Sequence, residues 1–443
     1  MHEHPLSAMS SGSDTISLPL RTGWRVRCAD WIERGATSRV LSGSIVMLLG
    51  SVLVASINFG FNVSMARLLG PALFAQVAAM VTLLMLFSSV SLSFQMVCAK
   101  FVARNGSTRG KLAVFHNLRR AAWMIGFTIA IVLTIARNPI ARYLRMPDAW
   151  LLVVFALGMA FYTPLGVKRG NMQGLCAFPA LSRNFILEAI SKLVIAIVLV
   201  ELGYGVMGAV GAISASIFAA MLIPGPKVPA AIEGESVEVI PASLGEGMQA
   251  IVFFVGQVII NNIDIILVKH FFTAELAGLY AAVALVGRVL YFAAWSIVSA
   301  MFPISAAAKG EDNKHVLFLS LLIVLLMSVA FIAVLALFPG FIIRLVLGEG
   351  FRSAEPLLSL YATATGLYAL AVVLMTYEMS HKIANTGWLQ LVVSGALVFL
   401  IYTFHSNLRK VIVVQIALMA LMLLLVSLPF LHSIRRLRWK ESI

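Results

Sequence analysis

The chain has 443 residues, 60% of them apolar and 12% charged, with a formal net charge of +14. Soluble domains carry about 45–50% apolar and about 25% charged residues, so an ordinary soluble protein is excluded, together with a disordered chain and a disulfide scaffold. What remains is an integral membrane protein whose basic excess belongs to cytoplasmic loops and not to nucleic-acid binding.

The first 20 residues are polar and show no apolar run, so no cleavable signal peptide is read there and the first span directs insertion. Trp24, Cys28, Trp31 and Ile32 then share one helical face, with Arg21, Arg25, Arg27 and Arg34 around it. The pattern fits a short helix in the inner interface, or anchors for the first span.

Twelve apolar runs near the about 20-residue spanning length follow. The first six cover about 40–61, 72–94, 116–136, 150–165, 182–202 and 206–223. The second six cover about 247–268, 276–300, 316–338, 354–375, 388–403 and 411–431. Backbone polar groups in hydrocarbon must be satisfied within their own segment, so these are helices and not strands. With the N-terminus cytoplasmic, inner segments hold 22 of the 33 Lys and Arg residues and outer loops hold 9. That bias puts both termini and the central linker inside. Cys28, Cys98 and Cys176 then all face the reducing side, show no metal-ligand spacing, and read as inert small residues.

An internal repeat sets the architecture. A shift of 203 residues lays Ile57-Asn58 on Ile260-Asn261, Ala78-Ala79 on Ala281-Ala282, and Ser93 on Ser296. Six spans is an even number, so both halves keep one orientation, related by a pseudo-two-fold along the membrane normal. The expected fold is an all-α integral membrane protein of about 12 transmembrane helices in two six-helix lobes. Its parts are an N-terminal segment (1–39), an N-terminal lobe (40–224), a cytoplasmic linker (225–244), a C-terminal lobe (245–432) and a basic tail (433–443). Tandem halves of this kind belong to alternating-access transporters.

Ionisable groups inside spans are costly and point to function. Glu188 and Lys192 stand at i and i+4 in span five, as a functional pair or a self-neutralised structural one. Arg288, in mid-span eight, must meet a water-filled cavity or a carboxylate from another helix; the cavity reading suits a phosphate ligand. Gln257, Asn261 and Asp264 form one stripe of span seven, and Ser51, Asn58 and Asn62 a similar face of span one. These stripes line a hydrated central cavity or serve as interhelical hydrogen bonds. Asp264 is a candidate for proton coupling, with Lys269 or Arg288 as the partner that could instead neutralise it, and Glu188 is the next candidate. No cofactor or metal motif is seen, and no soluble domain is available to bind ATP.

Ala66-Arg67-Leu68-Leu69-Gly70-Pro71, after span one, resembles the A-R-x-L-G-P signature of bacterial Wzx-type polysaccharide flippases. These belong to the multidrug/oligosaccharidyl-lipid/polysaccharide exporter (MOP) superfamily. Ala274-Glu275-Leu276-Ala277-Gly278-Leu279-Tyr280 is similar to the family's acidic-A-G-L-Y stretch, and Arg169-Gly170-Asn171-Met172-Gln173-Gly174 to its R-G-x-x-Q-G segment. Two departures stand out: Ala72-Leu73-Phe74-Ala75 lacks the usual acidic pair and glycine, and Phe271-Phe272-Thr273 replaces Leu-Gly-Pro in the second copy.

The resemblance implies a V of two lobes in the bacterial inner membrane, flipping an undecaprenyl-pyrophosphate-linked glycan among membrane lipids. Coupling to H+ or Na+ and a polysaccharide polymerase as partner are further implications. On that reading Lys192, Arg288, Asn58, Asn62, Gln257 and Asn261 contact substrate, while Asp264 and Glu188 couple transport. A drug/cation antiporter of the same superfamily and a membrane glycan polymerase or ligase are the alternatives. The first would need more acid than base in its cavity, and the second a large external loop.

Overall fold

A computed structural model describes residues 22–226, 248–307, 311–381 and 387–441. Most of the expected linker lies outside them, as do the side chains of the expected interfacial helix. Among the described residues the regular structure is entirely helical. The N-terminal lobe comprises α1 (Thr22–Arg104), α2 (Thr108–Ile135), α3 (Arg137–Tyr143), α4 (Trp150–Gly174), α5 (Phe178–Leu199) and α6 (Gly205–Leu222). The C-terminal lobe comprises α7 (Met248–Phe271), α8 (Ala274–Ala307), α9 (Glu311–Leu337), α10 (Pro339–Val346), α11 (Glu355–His381), α12 (Gly387–Thr403) and α13 (Leu408–Glu441).

Eight helical runs among the described residues are long and apolar enough to cross a membrane. Two of them, Val46–Arg104 (59 residues) and Phe178–Leu222 (45 residues), have length for two crossings each. The first turns at Gly70, where φ is 71° and ψ 174°. Only glycine holds that backbone without strain, and Pro71 then opens the next helix with its fixed φ and no orphaned N–H. The second breaks around Gly203. The short α12 and α7 complete six spans per lobe.

The repeat seen in the residues is carried by the elements. A shift of 203 takes residues 71–104 of α1 onto α8, α2 onto α9, and the short α3 onto α10, each end agreeing within two residues. Burial follows the same symmetry. In α4 and in its counterpart α11, 67% of the apolar window is buried, so each is the hub of its lobe. In α2 and α9 the shares are 22% and 17%, which makes them lipid-facing.

Several helices outrun their expected ends. α4 continues from about 165 to Gly174, the second half of α1 from about 94 to Arg104, and α8 from about 300 to Ala307. Hydropathy stops where lipid stops, whereas backbone hydrogen bonding continues into the headgroup region. The extension of α4 matters most, because it carries Arg169 into packed protein.

The lobes meet through α1 against α7 and α8. At the end that carries the Gly70 corner, side chains of each lobe hydrogen-bond to the backbone of the other. Arg67 donates to the carbonyls of Val346 (3.0 Å), Arg344 (3.5 Å) and Leu345, the free C-terminal acceptors of α10. Across the pseudo-two-fold, His270 donates from Nδ1 to the Tyr143 carbonyl at the C-terminus of α3, 2.7 Å away. Arg67 and Val346 are the repeat partners of His270 and Tyr143, so one contact is built twice. Phe74 packs edge-on to Phe351 (6.1 Å), and Gly278 of α8 lies directly against the backbone of Pro71.

Candidate functional site

Each lobe buries one charged cluster. In the N-terminal lobe, Phe178-Pro179 opens α5, and one turn-spaced face then presents Asn184, Glu188 and Lys192. Lys192, 6% exposed, sends Nζ to Oδ1 of Asn58 in α1 (2.5 Å) and lies 5.1 Å from the centre of the Phe61 ring. Arg169 of α4 pairs with the Glu188 carboxylate, donates from Nε to Asn184 Oδ1 (2.8 Å), and stacks on Phe185 (4.0 Å). Asn184 in turn donates to the Ala220 carbonyl of α6 at 2.8 Å. Three helices are thereby pinned around one guanidinium.

The expected Glu188–Lys192 pair is therefore replaced. A planar guanidinium with five donors satisfies Glu188 and Asn184 together, which a single ammonium cannot do. Lys192 turns instead toward span one. Among the described residues it has no carboxylate within ion-pair distance.

The C-terminal lobe holds the second cluster. Asp264, 1% exposed, accepts from Arg288 on Oδ1 (2.9 Å) and from the hydroxyls of Tyr280 and Tyr361 on Oδ2 (2.9 Å each). Arg288 also donates to Tyr361 Oη and to Asn262 Oδ1, both at 3.2 Å. Gln415 of α13 donates to Tyr280 Oη at 2.8 Å. Of the two partners open to Arg288, the structure supplies the carboxylate of another helix. Asp264 correspondingly sits in the packed interior of its lobe, not on a hydrated face. The reason is that two tyrosines and a guanidinium from two neighbouring helices, α8 and α11, can solvate it better than a half-open cleft.

The remaining expected residues divide. Asn58 joins Lys192. Asn62 and Asn261 donate to the carbonyls of Asn58 and Gln257 on their own helices (2.9 and 2.8 Å), and Gln257 is buried with Nε2 unpartnered. No hydrogen bond or ion pair among the described residues joins one charged cluster to the other.

Arg169, Asn184, Tyr280 and Tyr361 were not among the expected site residues. The apolar run ends at about 165, so the residue pattern puts Arg169 in a loop, whereas α4 carries it. Tyr280 stands in the A-G-L-Y stretch, and its spacing from Asp264 gives no helical signal because the two lie on consecutive helices.

Two equivalent six-helix lobes, joined at the Gly70 end and each holding a charged cluster, make the architecture of a multi-pass membrane protein. The chain belongs to the polysaccharide biosynthesis protein family, whose profile matches residues 64–356. It is similar in structure to an inward-facing multidrug-resistance MATE family transporter of the MOP superfamily, at TM-score 0.70 and 15% identity, over 88% of this chain and 99% of that one. A MOP superfamily transporter from Pyrococcus furiosus gives TM-score 0.59 at 16% identity, over 90% and 95% of the two chains. An outward-facing MATE transporter gives 0.56 at 16% identity, over 91% and 96%. No curated protein sequence matches the chain. The resemblance found in the A-R-x-L-G-P and R-G-x-x-Q-G stretches thus holds at the level of family and fold.

Proposed function

We propose that the protein flips an undecaprenyl-pyrophosphate-linked oligosaccharide across the bacterial cytoplasmic membrane by alternating access. The observation that carries this reading is Lys192, a buried ammonium whose neighbours are an amide oxygen and an aromatic face. A diphosphate head group supplies the anion such a cation lacks, while its lipid tail stays in the bilayer. Membership of a polysaccharide biosynthesis family supports the glycan, and a polymerase acting on the flipped product is the corresponding partner. The test is reconstitution in liposomes with a fluorescent lipid-linked oligosaccharide on one leaflet. Exposure on the opposite leaflet, without efflux of cationic drugs, is expected; drug efflux without lipid movement would establish the antiporter alternative.

Orientation follows the basic residues, with both termini and the central linker cytoplasmic and the Gly70 corner outside. Thiol labelling of single cysteines placed in the 227–241 segment is expected to require permeabilised cells. Labelling of intact cells there overturns the six-plus-six scheme.

Coupling is assigned to the Asp264–Arg288 pair. A proton arriving on Asp264 removes the charge that holds Arg288, leaving the guanidinium, 14% exposed, free to turn away from it. Asp264→Asn imitates the protonated carboxyl in shape. It is expected to bind lipid-linked glycan while its transport loses dependence on the pH gradient. A variant destabilised by about 3–5 kcal/mol with an unchanged gradient response would instead make the pair purely structural, and a sodium-dependent wild type would shift the ion but not the residue.

A further inference from the structure

Glu188 and Lys192 stand in the order and spacing at which an acid and a base on one helix meet best. They do not meet. Arg169 of α4 holds the Glu188 carboxylate, and the Lys192 ammonium points to Asn58 Oδ1 at 2.5 Å. Arg169 is itself fixed on three sides, by Glu188, by Asn184 Oδ1 at 2.8 Å and by the Phe185 ring at 4.0 Å, and is 4% exposed. Asn184 is tied onward to α6. The guanidinium is therefore part of the frame of the lobe, and Glu188 is pulled against that frame.

We infer that Arg169 is a positioning residue for the head-group site: by holding Glu188 against α4 it keeps Lys192 free of a carboxylate and open to an anionic diphosphate. The inference rests on the reading of Lys192 as the head-group cation. Arg169, Glu188 and Lys192 together carry one net positive charge. Without Arg169 the sum is zero, and a half-buried carboxylate does not stay unpaired when an ammonium is one turn away. Glu188 would then close on Lys192, and an incoming diphosphate would meet a neutralised pair with a carboxylate facing it. The R-G-x-x-Q-G stretch acquires a concrete task in this way. Its arginine never touches the ligand but decides which group on α5 is charged and unpaired.

Purified full-length protein titrated with farnesyl diphosphate tests this, with affinity expressed per folded protein and melting temperature recorded beside it. Lys192→Ala and Arg169→Gln are each expected to weaken binding about tenfold or more, the loss of one charge-assisted contact. The double variant Arg169→Gln/Glu188→Gln is expected to recover to within about threefold of wild type, since no carboxylate remains to close on Lys192. A merely structural arginine would lower the melting temperature of the variants and leave the affinity of the folded fraction unchanged, which overturns the inference. So does failure of the double variant to recover, because Arg169 would then act on the ligand itself. If Arg169→Gln does not fold, Arg169→Lys replaces it. One ammonium cannot hold Asn184 and Glu188 together, so weaker binding is expected, and wild-type affinity counts against the idea. Wild-type affinity in Lys192→Ala removes the head-group reading itself, whereas a loss there with none in Arg169→Gln removes only the role of Arg169.

Discussion

Lys192→Ala is expected to lower surface-glycan export by about ten- to a hundredfold while the protein accumulates in the membrane at its normal level. The magnitude follows from losing one charge-assisted hydrogen bond to a diphosphate in a dry site, about 1.5–3 kcal/mol. Folding should tolerate the change because the partners left behind are undemanding. Asn58 is half-buried and carries no charge, and the Phe61 ring needs no donor. The same replacement at Arg288 should behave differently, since it strands Asp264 in a site where it is 1% exposed. That variant is expected to lose protein as well as export. Comparing the two by immunoblot and by glycan output separates a ligand contact from a structural pair. Export at the wild-type rate in Lys192→Ala would end the cationic head-group reading.

The contrast between these two cations also shows what the residues alone could and could not reveal. Spans, lobes and the repeat were legible because lipid imposes one requirement, internal hydrogen bonding over an apolar length, and the chain obeys it twelve times. The break at Gly70-Pro71 was legible for a similar reason, since a turn chemistry has a local signature. Charged partners were not. Glu188 and Lys192 were paired by helical spacing, yet spacing gives only who is able to meet, and Arg169 from a neighbouring helix outcompetes Lys192 with more donors. Arg169 itself was hidden by the assumption that a span ends where its apolar run ends. Arg288 and Asp264 were both recognised as unusual, but pairing them needs the packing of α7 on α8 with α11, which one chain's periodicity does not encode. For the charged partners, tertiary contact between helices is the information that one chain's periodicity lacks; for Arg169 it is the length of the helix beyond its apolar run.

The same contact geometry supports a severe effect at a residue with no side chain. Gly278→Val is expected to stop the corner end from closing and to abolish most transport. A Cβ at Gly278 would lie 1.8 Å from the carbonyl oxygen of Pro71 and 2.5 Å from its carbon. These are backbone atoms in a tight corner and cannot rotate aside, so α8 must back away from α1. Overpacking of this type costs about 1–3 kcal/mol or more. That is enough to shift a near-balanced two-state equilibrium by about five- to a hundredfold. Withdrawal of α8 would also part Phe74 from Phe351 and draw Arg67 from the carbonyls of α10, because all three contacts share the corner. Met65, fully buried one turn below Gly70, reports the result. In a background without the three native cysteines, the thiol introduced by Met65→Cys is expected to be labelled slowly from outside in otherwise unchanged protein. Adding Gly278→Val should raise that rate by at least about tenfold, and Gly278→Ala by less, since one methyl forces a smaller withdrawal than an isopropyl group. Melting temperature distinguishes opening from unfolding: an opened corner leaves a cooperative transition, whereas collapse of the lobe does not. If labelling stays slow and export continues in Gly278→Val, the contact between α8 and the Gly70-Pro71 corner is only packing, and the gate must lie elsewhere along α1 and α7.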